Sequence, residues 1–190
     1  MKLHETNVWW QKLDAIENIE KYLKTIGIKE GLYYINPETL EVTVYEDVHL
    51  GNKGFSQLPN IKWKHITGYF NCADNILTND CLHLLPERID KCLTMNNNKI
   101  TSLHDIHHYV KFIGEALIVD PNVTHVLGVF FIKGLERVSF RSSVRTSETT
   151  TRMKIKKRLE DIVNRNLESG DIHSCQEELI AAGFGDAAKI

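Results

Sequence analysis

Residues 70–77, Phe-Asn-Cys-Ala-Asp-Asn-Ile-Leu, set apolar side chains at Phe70, Cys72 and Leu77 around an asparagine, Asn75, and the same order returns along the chain. Leu93-x-Met95-x-x-Asn98-x-Ile100 repeats it in full. Leu117-x-Val119-x-x-Asn122-x-Thr124 keeps all but the last apolar residue, and Val48-x-Leu50-x-x-Lys53-x-Phe55 carries Lys in place of Asn. Alternate side chains of a strand point to one face, so Phe70 and Cys72, or Leu93 and Met95, enter a core while Asn71 and Thr94 point outward. The asparagine falls where the chain turns, and its amide can satisfy backbone groups that a buried bend leaves unpaired.

The first apolar positions stand at 48, 70, 93 and 117, giving intervals of 22, 23 and 24 residues. A second register runs in phase with them: Leu58-Pro59 and Leu85-Pro86 each lead through an isoleucine, Ile66 and Ile89, into the next copy. A period of roughly 20–29 residues is that of leucine-rich repeats. The sequence therefore predicts an α/β (α+β) chain built on a short leucine-rich-repeat-like solenoid of 3–4 coils over residues 28–140, the weakened outer copies at Lys53 and Thr124 serving as its ends. An antiparallel meander with regularly spaced strands is the alternative.

Working outward, Trp9, Leu13, Ile16, Ile19, Leu23 and Ile26 recur at helical spacing and Gly27 follows. Residues 1–27 thus read as an amphipathic capping helix whose stripe, with Trp10 and Tyr22, plugs the open end or meets a partner. Residues 141–151 are polar and rich in Ser and Thr, and read as a linker. From 152 to 190 a helical pair is expected. Its first helix ends near Gly170, and its second starts at Ser174, whose spacing to Glu177 is that of a capping box.

The chain has 190 residues, 23 Lys plus Arg against 25 Asp plus Glu, and a net charge of −2, so any pull on nucleic acid or anionic membrane must be local. No apolar run of about 18 residues appears and the start lacks an apolar signal region, which places the chain in a cytoplasm with no membrane partner. The four cysteines, Cys72, Cys81, Cys92 and Cys175, form no CxxC pair and are expected as buried free thiols. His104, His107, His108 and His125 are the residues nearest to a metal set, and His104 and His108 would share a helical face, but no recognised ligand spacing accompanies them. GxSxG, P-loop and GxGxxG motifs are missing from the sequence. The reading is a binding protein without a catalytic, cofactor or metal site. Its partner face is expected at Tyr69, Asn71, Lys91, Thr94 and Ile118, with Ala116 beside them.

One local charge stands out. Arg137, Arg141, Arg145, Arg152, Lys154, Lys156, Lys157 and Arg158 are opposed in that span only by Glu148. They form a basic patch suited to phosphate backbones or an acidic protein, though no aromatic is interleaved among them after Phe140 to stack a base, and the acidic tail from Glu160 onward can balance the charge.

The runs LP-x6-ITGYFNCADNILT and LP-x2-IDKCLTMNNNKITSLHDIH resemble the leucine-rich-repeat-like proteins of tailed bacteriophages. The tail, with its segment CQEELIAAG over 175–183, is similar to the closing module of that family. The resemblance covers roughly residues 28–190. It implies a viral origin, a host cytoplasm and a fold; the family has no assigned activity, so no residue role carries over. The polar stretch 142–151 departs from the family pattern and is expected to hold what is particular to this chain. Function is therefore expected as protein–protein interaction with a host or phage protein, and alternatively as nucleic-acid binding through residues 137–158.

Overall fold

A computed structural model describes residues 3–141 and 150–189, with side chains for 11–141 and 154–189. In chain order the elements are α1 (Leu3–Thr25), β1 (Tyr33–Ile35), β2 (Glu41–Val44), β3 (Val48–His49), β4 (Lys62–Ile66), β5 (Phe70–Asn71), β6 (Arg88–Ile89), β7 (Leu93–Thr94), α2 (Ile106–Tyr109), β8 (Phe112–Ile113), β9 (Ala116–Val119), β10 (Arg137–Phe140), α3 (Thr150–Ser169) and α4 (Ile172–Ala181). Two 3-10 turns, Asn79–Leu84 and Val126–Phe131, lie between strands.

The strands make two five-stranded sheets, β1-β2-β4-β6-β8 and β3-β5-β7-β9-β10. The second is parallel throughout, and the first is parallel except for the β1–β2 hairpin. This corrects the sequence expectation. The α/β class holds, but the chain is two mostly parallel sheets with helices, not a leucine-rich-repeat-like solenoid of 3–4 coils. The reason lies in the second register. The template assigned one strand to each repeat, whereas the residues around Ile66, Ile89 and Ile113 are strands too, paired side by side in their own sheet. Two apolar faces then bury each other, as sheet faces do. Val42, Val44, Ile66, Ile89 and Ile113 meet Val48, Phe70, Leu93, Leu117 and Val138 in the core, all fully buried. Trp63 of β4 sets its ring edge-on to Phe70 of β5 at 5.8 Å.

Between the sheets the chain turns on two amides, one buried, at Asn75, and one half-buried, at Asn98. Asn75 Nδ2 donates to the carbonyls of Leu50, Cys72 and Ala73, and its Oδ1 accepts from Lys53 N and Phe55 N. Asn98 Nδ2 donates to Cys72 O and Met95 O, while its Oδ1 accepts from Leu77 N. Asn122 takes no such place and is exposed. The turn residue four positions after the first apolar residue of each copy has positive φ in the earlier copies: 55° at Asn52, 57° at Asp74 and 57° at Asn97. The fourth copy has Pro121 there, whose ring holds φ negative. The turn changes, and Asp120 supplies the acceptors instead, its Oδ1 and Oδ2 receiving Asn97 N and Asn98 N.

Helix α1 buries Leu23 fully and packs Ile19 and Tyr22 against the core, joined by Ile26 just past its end, while Leu13 is 36% exposed; the side chains of Trp9 and Trp10 lie outside the described residues. The stretch 142–149, most of the expected linker, also lies outside them. Helices α3 and α4 form the closing pair, but α4 begins earlier than the capping-box spacing implied. Asp171 is its N-cap, and its carboxylate accepts from Ser174 N at 2.9 Å and Ser174 Oγ at 2.7 Å. Those bonds hold the Asp171 carboxyl below its ordinary range.

The last strand is finished by helix side chains. On the outer edge of β10, Asn164 of α3 accepts from Val138 N at 2.7 Å and donates to Val138 O at 2.9 Å, and Glu160 Oε2 accepts from Phe140 N at 2.9 Å. An amide and a carboxylate thus stand where a neighbouring strand would pair.

Candidate functional site

The outward face of the parallel sheet is built by register. Asn71 lies beside His49 and Thr94, and Thr94 beside Ile118; Ser139 follows in register on β10 but is buried, its hydroxyl donating to Glu160 Oε2 at 3.4 Å. Adjacent strands sit ~4.8 Å apart, so these side chains form one continuous row. Asn71, Thr94 and Ile118 are half-buried and His49 is exposed. Asn71 turns its Oδ1 to Ala73 N. Two positions before Asn71, just ahead of β5, stands Tyr69, 38% exposed, with Lys91 Nζ 4.8 Å over its ring.

His49, Cys92 and Ser139 were not placed on this face by sequence. The row through Tyr69 continues to Cys92, Ala116 and Arg137. Cys92 is buried, and its thiol donates to Glu115 Oε2 at 3.3 Å. Burial, then the Glu115 carboxylate, push this thiol's pKa up. Ala116, expected to face outward beside Ile118, is fully buried. Alternation puts it on the right side of the strand, but its small side chain lies below its neighbours. The signal for Cys92 was its offset from Leu93, which the template left unread.

The described basic residues stand at the ends of β10 and along α3. Arg137 and Arg141 are exposed at the two ends of β10. Arg145, and the side chain of Arg152, lie outside the described residues. Lys154, Lys157 and Arg158 line a groove between α3 and α4 together with Asp161, Arg165 and Glu178; Lys156 is half-buried. Arg165 pairs with Glu178 across that groove. Part of the acidic balance is engaged elsewhere, since Glu160 serves β10.

The histidines cluster around α2. The His107 ring lies tilted against His108 at 4.1 Å and against Phe131 at 5.0 Å, and His104 meets His125 at 5.6 Å. His104 Nε2 and His108 Nε2 stand 3.8 and 3.9 Å from Asp105 Oδ1. Among the described residues no group of three His, Cys, Asp or Glu side chains is placed to hold a metal ion. All four cysteines are free and buried, and burial pushes Cys81 up to about 11 and Cys175 up to about 12. Thiols so held stay protonated.

Comparison with family models, curated proteins and solved structures returns no match. Among the described residues no helix is long and apolar enough to cross a membrane.

His107 carries a pH prediction. Burial, then the neighbouring His108 and Lys111, lower its pKa from the ordinary 6.5, against a smaller opposing pull from His104's backbone and Asp105. Above pH 6.5 both folded and unfolded chains hold the neutral ring. Below it the unfolded chain takes up a proton that the folded site resists, so this contribution to stability is lost as pH falls. Thermal melts at pH 7.5 and 5.5 should show a smaller decrease in Tm for His107→Gln than for the wild type; equal decreases would rule this residue out as the source.

Proposed function

We propose that this chain is a protein-interaction module of tailed-phage origin, acting in the host cytoplasm and engaging a host or phage protein through the outward face of its parallel sheet. The observation that supports this most directly is the unbroken row His49, Asn71, Thr94 and Ile118, beside which the low Cys92 and Ala116 sit between Tyr69 and Arg137. A rigid face of mixed polar and apolar side chains, with one aromatic and one arginine at its margins, has the make-up of a recognition surface.

The test is affinity purification of the tagged chain from bacterial lysate, with nuclease and at two salt concentrations, in wild type and in a Thr94→Arg/Ile118→Arg double variant. One stoichiometric protein that survives nuclease and salt and is lost in the variant supports the reading. Its retention by the folded variant sinks it.

A second reading, nucleic-acid binding, is favoured by Lys154, Lys157, Arg158 and Arg165 lining one groove. It requires DNA or RNA binding that weakens steeply with salt and is lost on Lys157→Glu/Arg158→Glu substitution.

A further inference from the structure

The two edges of the parallel sheet are finished in opposite ways. At β10 the helix side chains of Asn164 and Glu160 occupy the pairing positions. At β3, Val48 N and Leu50 N donate inward to Tyr69 O and Asn71 O. The alternation of a parallel strand turns the N–H and C=O of the intervening His49 the other way, off the sheet. Among the described residues nothing pairs with them.

That edge borders a groove of about 310 Å3, lined by Ile26, Gly27 and Ile28 on one wall and by Glu46, Asp47 and His49 on the other. Asp47 Oδ1 is engaged, accepting Tyr69 N at 2.9 Å. Glu46 Oε1 is shut off from solvent and has no hydrogen-bond partner among the described residues. A carboxylate oxygen in that state is costly unless a donor reaches it.

We propose that the groove takes an extended peptide of a partner protein, added as a strand along the open edge of β3 with a lysine or arginine set against Glu46. The backbone of His49 supplies the pairing, which is indifferent to sequence, and the two carboxylates supply the preference for a cation. Ile26 and Ile28 cover the peptide's apolar side chains. This surface is distinct from the outward face of the sheet and stands or falls separately from it.

The experiment is an NMR titration of the full isotope-labelled chain with three capped pentapeptides: Thr-Val-Lys-Val-Thr, Thr-Val-Glu-Val-Thr, and the lysine peptide N-methylated at alternate residues. The lysine peptide is expected to shift the amides of residues 47–50 saturably and to bind at least tenfold more tightly than the other two. His49→Pro removes an N–H that faces outward, where an edge strand tolerates proline, so it should keep the fold and lose the binding. Glu46→Lys should reverse the preference between the lysine and glutamate peptides.

Equal affinity for those two peptides, or undiminished binding by folded His49→Pro, overturns the proposal. So does a wild-type dimer in sedimentation that His49→Pro abolishes, because a second copy would then own the edge. If His49→Pro does not fold, the Glu46→Lys reversal decides, and its absence overturns the proposal. Thr94→Arg should leave peptide affinity unchanged.

Discussion

Asn75→Ala should lower the stability of the fold by about 3 kcal/mol, since each buried group left unpaired costs ~1–3 kcal/mol and the losses at one site overlap. Removing this one amide strands the carbonyls of Leu50, Cys72 and Ala73 and the N–H groups of Lys53 and Phe55. The side chain is 7% exposed, so water cannot replace it in place. For a chain of this length the loss corresponds to a fall in Tm of roughly 6–12 °C. Asn122→Ala, at the equivalent place in the last copy, should change stability by less than ~0.5 kcal/mol because that side chain is exposed. Urea denaturation of the two variants gives the comparison directly. Equal losses would mean that the buried amide is not what holds the turn.

Gly114→Ala should cost about 3 kcal/mol or unfold the chain, for a reason of space alone. A Cβ at Gly114 would lie 2.1 Å from the carbonyl oxygen of Asp90 and 2.9 Å from its carbonyl carbon, both backbone atoms that cannot swing aside. Overpacking of this kind costs ~1–3 kcal/mol even where side chains can move. Here the displaced residue also holds others. The Asp90 carboxylate accepts from Arg88 Nε at 2.8 Å and lies 2.8 Å from His65 Nε2, and Arg88 in turn covers the Phe112 ring at 3.9 Å. Gly185→Ala is the control, because a Cβ there meets nothing within 4 Å. Denaturation midpoints of the two variants should differ widely, and a Gly114→Ala chain as stable as wild type would contradict the close approach of these strands.

What could be read in advance follows from how local each signal is. Phe70 and Cys72 alternate along one copy and Leu93 and Met95 along the next, so their burial was legible, and so were the roles of Asn75 and Asn98 in the turns. Asn122 carried the same letter in the same place, yet Pro121 beside it forbids the backbone conformation on which that role depends. The second sheet was hidden because strands as short as Arg88–Ile89 and Phe112–Ile113 show no period of their own. Their pairing comes from stacking distant segments, and this turned an expected solenoid into two mostly parallel sheets. The outward placement of Asn71, Thr94 and Ile118 followed from alternation. The burial of Ala116 and Cys92 did not, because it depends on the neighbours across the sheet. Glu160 read as one acid among many in the tail, since nothing within α3 announces that it meets Phe140 N. The open backbone of His49 was equally invisible, for an edge is defined by what the rest of the chain leaves uncovered.

The helix side chains on β10 give the parallel sheet a direction. A strand arriving at the β3 side finds free backbone, whereas at the β10 side Asn164 and Glu160 already hold the places it would need. Copies of this chain therefore cannot stack head to tail through that sheet, because each such junction would join an open edge to a closed one. Extension of the parallel sheet is blocked at its β10 edge by a single amide and a single carboxylate, and its open edge admits one added strand per molecule.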